Sequence, residues 1–444
     1  MGYSGLAYMK ISGSMRRDYA LHAPYIPSHL CDVGQKRLAV MSRKFSVLLP
    51  TRDRLELAKG AIETVRRQAY DNWELVISDN CSHEDVGAYV RSLNDPRIIY
   101  SRSDVPLHVT ENWNRAIDAS SGDYVVMLGD DDGLIQGYFE RTNEVLDQLE
   151  DPDFIYMGAY HYTFPGVLDD CPNGKVVNVC PYVSLFQDRS EACLLPLDEA
   201  HTMARAGLDM QAVYGFNMQY FLFNQKFLNQ LREYGPVFQG PFPDFYAANM
   251  AMLLAERIGL LPEPMIFIGI SPKSYGYYHF NGREKGGMAF LNAERKMEAS
   301  PELARHLLPG TNMNTSWLIS VDLVRAALGQ KMNLDIGVKR YRRLQIFYAV
   351  DHANTPQACE EGLLDIWRKL SGGERGVMLG YLFVRLLKYF PYRQLYRVAH
   401  KRIQRRLAQY PRQKNKALSP IYGDFQTMQD VFDKLPITPH ASSR

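Results

Sequence analysis

GDYVVMLGDDDGL, Gly122 to Leu134, decides how the rest of the chain is read. Val125, Val126, Met127 and Leu128 make the short apolar run of a buried strand, and Gly129 releases the chain. Asp130, Asp131 and Asp132 then follow without a spacer. Adjacent like charges repel, and one aspartate is enough to cap a following helix. An acidic capping turn is the plain alternative. A cluster of hard oxygen ligands suits Mg²⁺ or Mn²⁺ better, with substrate phosphates completing the octahedron.

Moving outward, FSVLLP (45–50), ELVISD (74–79), RIIYSR (97–102) and DYVVMLG (123–129) read as four strands. Leu55, Ala58, Ile62, Val65 and Ala69 recur at helical steps after the first. Helices are expected between the second and third strands and across Asn112 to Ala119. Strands alternating with helices predict an α/β fold, a Rossmann-like, mostly parallel sheet with helices on both faces. Tyr138, Phe139, Thr142, Leu146 and Leu149 outline a further helix, and DFIYMGAYHY (153–162) a further strand. From 164 to 242 the pattern is irregular and aromatic, as in loops that build a specificity surface. A helix opens at Asp244, with Ala247, Met250, Ala251, Leu254 and Ile258 on one face. After about residue 300 the chain turns mainly helical, from Trp317 to Leu328 and again from about Tyr341.

The expected organisation is an irregular extension over 1–43, an α/β domain over 44–300 with halves 44–135 and 136–300, and a helical region over 301–444. Met41, just before the first strand, is a second candidate start. The 444 residues are 46% hydrophobic and 23% charged with net charge +2, ordinary for a globular protein. No run of about 18 apolar residues marks a spanning helix. The start lacks a secretory pattern, and Leu6 spoils a myristoylation match. Six cysteines without CxxC spacing point to a reduced, cytoplasmic protein with neither a disulfide framework nor a zinc site.

SVLLPTRDR (46–54), ELVISDNCSHED (74–85), ENWNRAIDASSGDYVVMLGDDDG (111–133) and FPDFYAANMAMLLAERI (242–258) occur in this order. Together they resemble the family 2 glycosyltransferases of GT-A fold, over about residues 44–285. The resemblance implies an inverting, metal-dependent transfer of a sugar from a nucleotide-diphospho-sugar, UDP-linked, to a glycan or lipid-linked acceptor. It also implies a place in surface polysaccharide or glycoconjugate synthesis.

Matched position by position, Pro50, Thr51 and Arg52 fall in the turn under the base, and Asp79 with Asn80 at the base itself. Asn114 matches the Asn of an Arg-Asn pair, in which Trp113 replaces the Arg. The aspartate triplet matches the metal site on the diphosphate, with Asp130 and Asp131 also touching nucleotide. Gly129 stands where the first metal-site Asp often lies. Spacing fits Asp130 and Asp132 as the metal ligands, whereas register favours Asp131. Asp244 matches the general base that takes the proton of the acceptor hydroxyl. PD before an apolar run is also a helix-start signal, and both roles can hold. His279 and Arg283 are candidate phosphate or metal contacts.

Near the C-terminus, no acidic residue occurs between Glu374 and Asp424. Basic residues there alternate with Leu395, Val398, Ala399, Ile403 and Leu407, so 385–407 could lie on an anionic membrane face. A solvated face packed on the catalytic domain is the competing reading. A nucleic-acid partner would leave the aspartates unexplained. Two rivals from other classes remain. A nucleotidyltransferase would need a Gly-rich basic loop where PTRDRLELAKG stands; a non-catalytic sugar- or nucleotide-binding module would leave Asp79, Asp132 and Asp244 without a task.

Overall fold

The apolar runs at 45–51 and 73–79 become strands buried on both faces of the sheet, and the run at 98–102 becomes its edge, with Ile99 37% exposed. The computed structural model describes residues 42–167, 172–280, 287, 299–353, 362–388, 393–408, 420–421 and 424–435. The expected extension, from residue 1 to 41, lies outside these.

The first half runs β1 (Phe45–Thr51), α1 (Leu55–Arg66), β2 (Trp73–Asp79), α2 (Val86–Leu93), β3 (Ile98–Arg102), α3 (Val109–Asp118) and β4 (Tyr124–Met127). The strands pair in parallel in the order β3-β2-β1-β4. Register sets Thr51 beside Asp79, and Leu48 beside Met127, so the carboxyl ends form one rim. Local chemistry fixes the helix starts. Asp85 accepts the Ala88 N–H at 2.8 Å, and His108 with Glu111 forms a capping box. On α1, Ala58, Ile62 and Val65 are buried as their spacing predicts, but Ala69 lies beyond the helix and is exposed.

The second half contains β5 (Gly133–Leu134), α4 (Tyr138–Gln148), β6 (Phe154–Thr163), β7 (Lys175–Asn178), β8 (Cys193–Leu195), α5 (Leu197–Leu208), β9 (Phe221–Asn224), α6 (Gln225–Arg232), α7 (Pro243–Leu254) and β10 (Ile258–Ile270). Here pairing is mixed. β9 lies antiparallel between β4 and β6 and joins the two halves. β10 runs parallel to β6 and crosses antiparallel to β5 and β8. Ile258, expected on the helix, is the first residue of β10, because α7 ends at Leu254. The irregular region holds α5 and α6, which its composition did not announce.

α8 (Tyr275–Phe280), α9 (Pro301–Ala304), α10 (Asn312–Leu328), α11 (Val338–His352), α12 (Leu363–Arg368), α13 (Gly372–Leu386), α14 (Arg393–Ala408), β11 (Pro420–Ile421) and α15 (Met428–Lys434) complete the described elements. The main core is continuous across residue 300, taking in Trp317, Leu318 and Tyr341. Met428 and Val431 return to it through α15, which packs on α1 where Gly60 leaves room for the Met428 side chain. A smaller core, including Ile346, Ile366 and Met378, holds α11 to α13 together. Among the described residues no helix is long and apolar enough to cross a membrane. Cys81, Cys180 and Cys193 are free thiols.

Candidate active site

At the carboxyl rim of β1 and β4 opens a cleft of about 580 Å³. Pro50, Thr51, Arg52 and Asn80 wall one side, and Asp130 and Asp131 edge the other, with Gly129 and Gln219 beside them. Ligands in open α/β sheets gather at such a rim. Six of the eight nucleotide residues expected from sequence, Pro50, Thr51, Arg52, Asn80, Asp130 and Asp131, line the cleft together. Arg54, Asn112, Trp113 and Gln219 also line the cleft. The sequence reading gave none of them a role there. Arg54 was legible in PTRDR; Gln219 lies in the irregular region and carried no signal.

The three aspartates are buried and have different partners. Asp130 accepts from Thr51 Oγ1 at 2.8 Å and from Arg54 Nη1 at 2.9 Å. Asp131 Oδ2 accepts from Ser271 Oγ at 2.8 Å and from Ser274 Oγ, and Arg54 Nη1 stands 3.9 Å from Oδ1. Asp132 is used up internally. Its Oδ1 accepts the Gly269 N–H at 2.8 Å, and its Oδ2 accepts the Gly129 N–H at 2.9 Å and Gln219 Nε2 at 2.5 Å. It is fully buried and does not line the cleft. Its oxygens tie β10, and Gln219 in the short 3₁₀ turn Met218–Tyr220, to the end of β4.

Two glycines make this packing feasible. A Cβ at Gly129 would strike Asp132 Oδ2, and one at Gly269 would strike the Asp131 carbonyl. Glycine at 129, where the resembled family often has an aspartate, follows from the inward turn of Asp132.

Burial raises the Asp130 pKa despite Arg54, and the neighbouring Asp131 charge adds to the rise. Burial also works against the charge of Asp131, but Arg54 and the two serine hydroxyls outweigh it and hold that carboxyl below the usual value. Burial and then the Asp131 charge push Asp132 up to about 6 against the two backbone N–H groups. For a divalent ion the candidate ligands are therefore the two carboxylates at the cleft edge, Asp130 and Asp131, which accept hydrogen bonds from Thr51, Arg54, Ser271 and Ser274. Among the described residues no three His, Cys, Asp or Glu side chains form a metal cage.

Asp79 ends β2 fully buried. It accepts from the Ser82 N–H at 2.9 Å and from Tyr100 OH at 2.7 Å, and does not reach the cleft wall. Asn114 likewise faces away: Nδ2 donates to the carbonyl of Phe238 at 2.8 Å and Oδ1 accepts the Phe238 N–H at 3.1 Å. Each of these two side chains is engaged in holding a turn, and neither lines the cleft. His279 lies on α8, whereas Arg283 falls outside the described residues.

Asp244 sits in the first turn of α7, 1% exposed. Its Oδ1 accepts its neighbour's N–H at 3.2 Å, while Oδ2 has no hydrogen-bond partner among the described residues. Burial pushes its pKa up to about 6. The Phe242 ring lies 5.0 Å from that of Tyr275, the residue after Ser274, so the start of α7 is packed onto the rim that holds Asp131.

A cleft at the carboxyl rim of parallel strands, edged by acids, defines an α/β ligand-binding domain of the doubly wound kind. Residues 46–169 match the model of Glycosyl transferase family 2. WcaA of Escherichia coli (strain K12), named as a glycosyl transferase of colanic acid biosynthesis, is 43% identical over 117 residues, 26% of this chain and 42% of that protein. The GalNAc(5)-diNAcBac-PP-undecaprenol beta-1,3-glucosyltransferase of Campylobacter jejuni is 34% identical over 108 residues, 23% of this chain and 35% of that one. The match thus spans less than half the length of either relative. A crystal structure of S. aureus TarS 1-349 in complex with UDP-GlcNAc superposes with TM-score 0.43 at 13% identity, covering 82% of this chain and 90% of that one.

Proposed function

We propose that the protein is an inverting glycosyltransferase that moves a sugar from a nucleotide-diphospho-sugar, UDP-linked, to a hydroxyl of a glycan or lipid-linked acceptor. The family match over 46–169 supports the class, and the relatives named for glycan synthesis support the setting. The observation that carries the chemistry is the unpartnered, buried Oδ2 of Asp244. A buried acceptor without a donor is costly, and an acceptor hydroxyl would supply that donor.

In this reading residues 44–135 hold the donor and 136–300 the acceptor, with 301–444 as a helical appendage. Pro50, Thr51, Arg52 and Asn80 bound the donor's nucleotide. Asp130 and Asp131 would hold Mn²⁺ or Mg²⁺, whose charge would neutralise the departing diphosphate. Asp244 takes the proton of the attacking hydroxyl as its oxygen bonds to the anomeric carbon. The bond from that carbon to the diphosphate breaks with its electron pair, and attack from the opposite face inverts the centre. Arg54 opposes the rise that burial imposes on the Asp130 carboxyl and holds it by a hydrogen bond at 2.9 Å. A lipid-linked acceptor would be met at the cytoplasmic face of a membrane, and peripheral contact through 385–407 belongs to the same reading.

Calorimetric titration with UDP, with and without Mn²⁺, tests the donor assignment. Metal-promoted binding is expected; absence of binding in both conditions would overturn it. A screen of nucleotide release across UDP-, GDP- and dTDP-sugars then identifies the donor.

A further inference from the structure

The described chain leaves five large apolar side chains exposed on two consecutive helices. On α13, Leu379, Phe383 and Leu386 are 55, 65 and 55% exposed; on α14, Leu395 and Val398 are 60 and 68% exposed. Leu379, Phe383 and Leu386 stand at i, i+4 and i+7, one stripe of the helix. Gly376 and Gly380 flank that stripe, and a Cβ at either would meet nothing within 4 Å. Isolated exposed leucines are ordinary, but a stripe of this kind is not.

The orientation of the helices is fixed from the other side. α13 packs on α11, and α14 touches both. The Tyr381 and His400 rings each lie 5.4 Å from Phe347, and His400 Nε2 is 3.0 Å from Asp351 Oδ1. Leu407 is buried and Ile403 half-buried on this inner face. The single apolar face expected for α14 is therefore divided: Ile403 and Leu407 pack inward, while Leu395 and Val398 point outward.

Charge chooses the occupant. Residues 375–423 contain twelve Lys or Arg and no Asp or Glu. Arg397, Lys401, Arg402 and Arg406 are exposed on α14. A second copy of this chain would set one positive helix against another. An anionic lipid surface instead receives the basic side chains at its headgroups and the apolar ones at the acyl boundary.

We propose that the outer faces of α13 and α14 dock the protein on an anionic bilayer, with Leu379, Phe383, Leu386, Leu395 and Val398 inserted. The proposal deepens the acceptor assignment above and rests on it only for the reason such docking would be useful. It extends the surface beyond the basic segment to an apolar stripe on the preceding helix.

The test is flotation of the full chain with vesicles of phosphatidylcholine, alone or with about one third phosphatidylglycerol. At about 1 kcal/mol per basic residue at the surface, anionic vesicles should bind at least about tenfold more protein, less so at high salt. Phe383→Ser with Leu386→Ser, and separately Lys401→Glu with Arg402→Glu, should each lower binding about tenfold while leaving UDP binding and the thermal melt unchanged. Wild type that stays unbound, or variants that float as wild type does, would overturn the proposal. So would light scattering that shows a dimer dissolved by the apolar double variant. Loss of docking with UDP binding intact refutes the surface alone; no UDP binding by a chain that still floats refutes the transferase reading alone.

Discussion

The aspartates at the end of β4 and the aspartate at the start of α7 are equally buried and oppositely equipped. Asp130, Asp131 and Asp132 accept from a guanidinium, three hydroxyls, two backbone N–H groups and an amide. Asp244 leaves one oxygen without a hydrogen-bond partner among the described residues. A carboxylate supplied with donors on both oxygens is held in place by the fold; one with an oxygen left over can accept from an outside hydroxyl. In the proposed reading the difference separates residues that edge the cleft from the one that takes the acceptor's proton.

The sharpest way to break this contrast is Asp244→Asn. Losing a general base should lower transfer by about 10² to 10⁴-fold. Holding a carboxyl near 6 rather than 3.8 corresponds to about 3 kcal/mol. For a raised acid, the associated stability is fully present below the ordinary value and is lost as pH climbs through about 6. The amide should therefore melt higher than wild type at pH 8, and the gain should vanish near pH 4. In the wild type, kcat/KM should rise through about pH 6 as the base ionises. A variant less stable at pH 8 would show that Asp244 is merely a structural cap.

Arg54→Met attacks the other side. Removing the guanidinium leaves Asp130 buried without its cation, and broken buried pairs cost about 3–5 kcal/mol. Urea unfolding at pH 7 should show that loss, and lowering the pH should recover part of it as Asp130 takes a proton. A smaller contrast lies within the triplet. Asp131→Asn should weaken donor binding in Mn²⁺ by about ten- to a hundredfold, whereas Asp132→Asn should leave that affinity nearly unchanged. Equal losses would return Asp132 to the metal site.

The parallel half of the fold was legible because each strand is an uninterrupted apolar run and each helix keeps its face. β10 was not. Ile258 stands four residues after Leu254 and so continues the helical spacing of α7 by coincidence. Pro262 and Pro264 argue against a strand, and β10 accommodates them by shifting register between Leu261 and Ile266. That strand brings Gly269, Ser271 and Ser274 to the triplet, so the sequence showed the acids without their donors. The same gap hid the inward turn of Asp132, which depends on a strand more than a hundred residues away. Asp244 was visible from its motif, but its missing partner is a property of the packed surroundings.

Asn114 gives the smallest effect and tests whether a residue matched to a nucleotide contact can instead be a strut. Its amide spans the Phe238 peptide, donating to the carbonyl and accepting from the N–H, and so pins α3 to the loop that leads into α7. Trp113 beside it packs edge-on against the Phe238 ring at 5.3 Å, so the loop is gripped twice. In Asn114→Ala the Phe238 peptide loses both partners in a half-buried setting, worth about 1–3 kcal/mol. The melt should fall accordingly, with UDP affinity unchanged because the side chain does not wall the cleft. Transfer should drop modestly through the loosened start of α7, as a lower kcat at constant donor KM. A donor KM that rose instead would place Asn114 on the nucleotide after all, and the cleft would have to close around α3 when the donor binds.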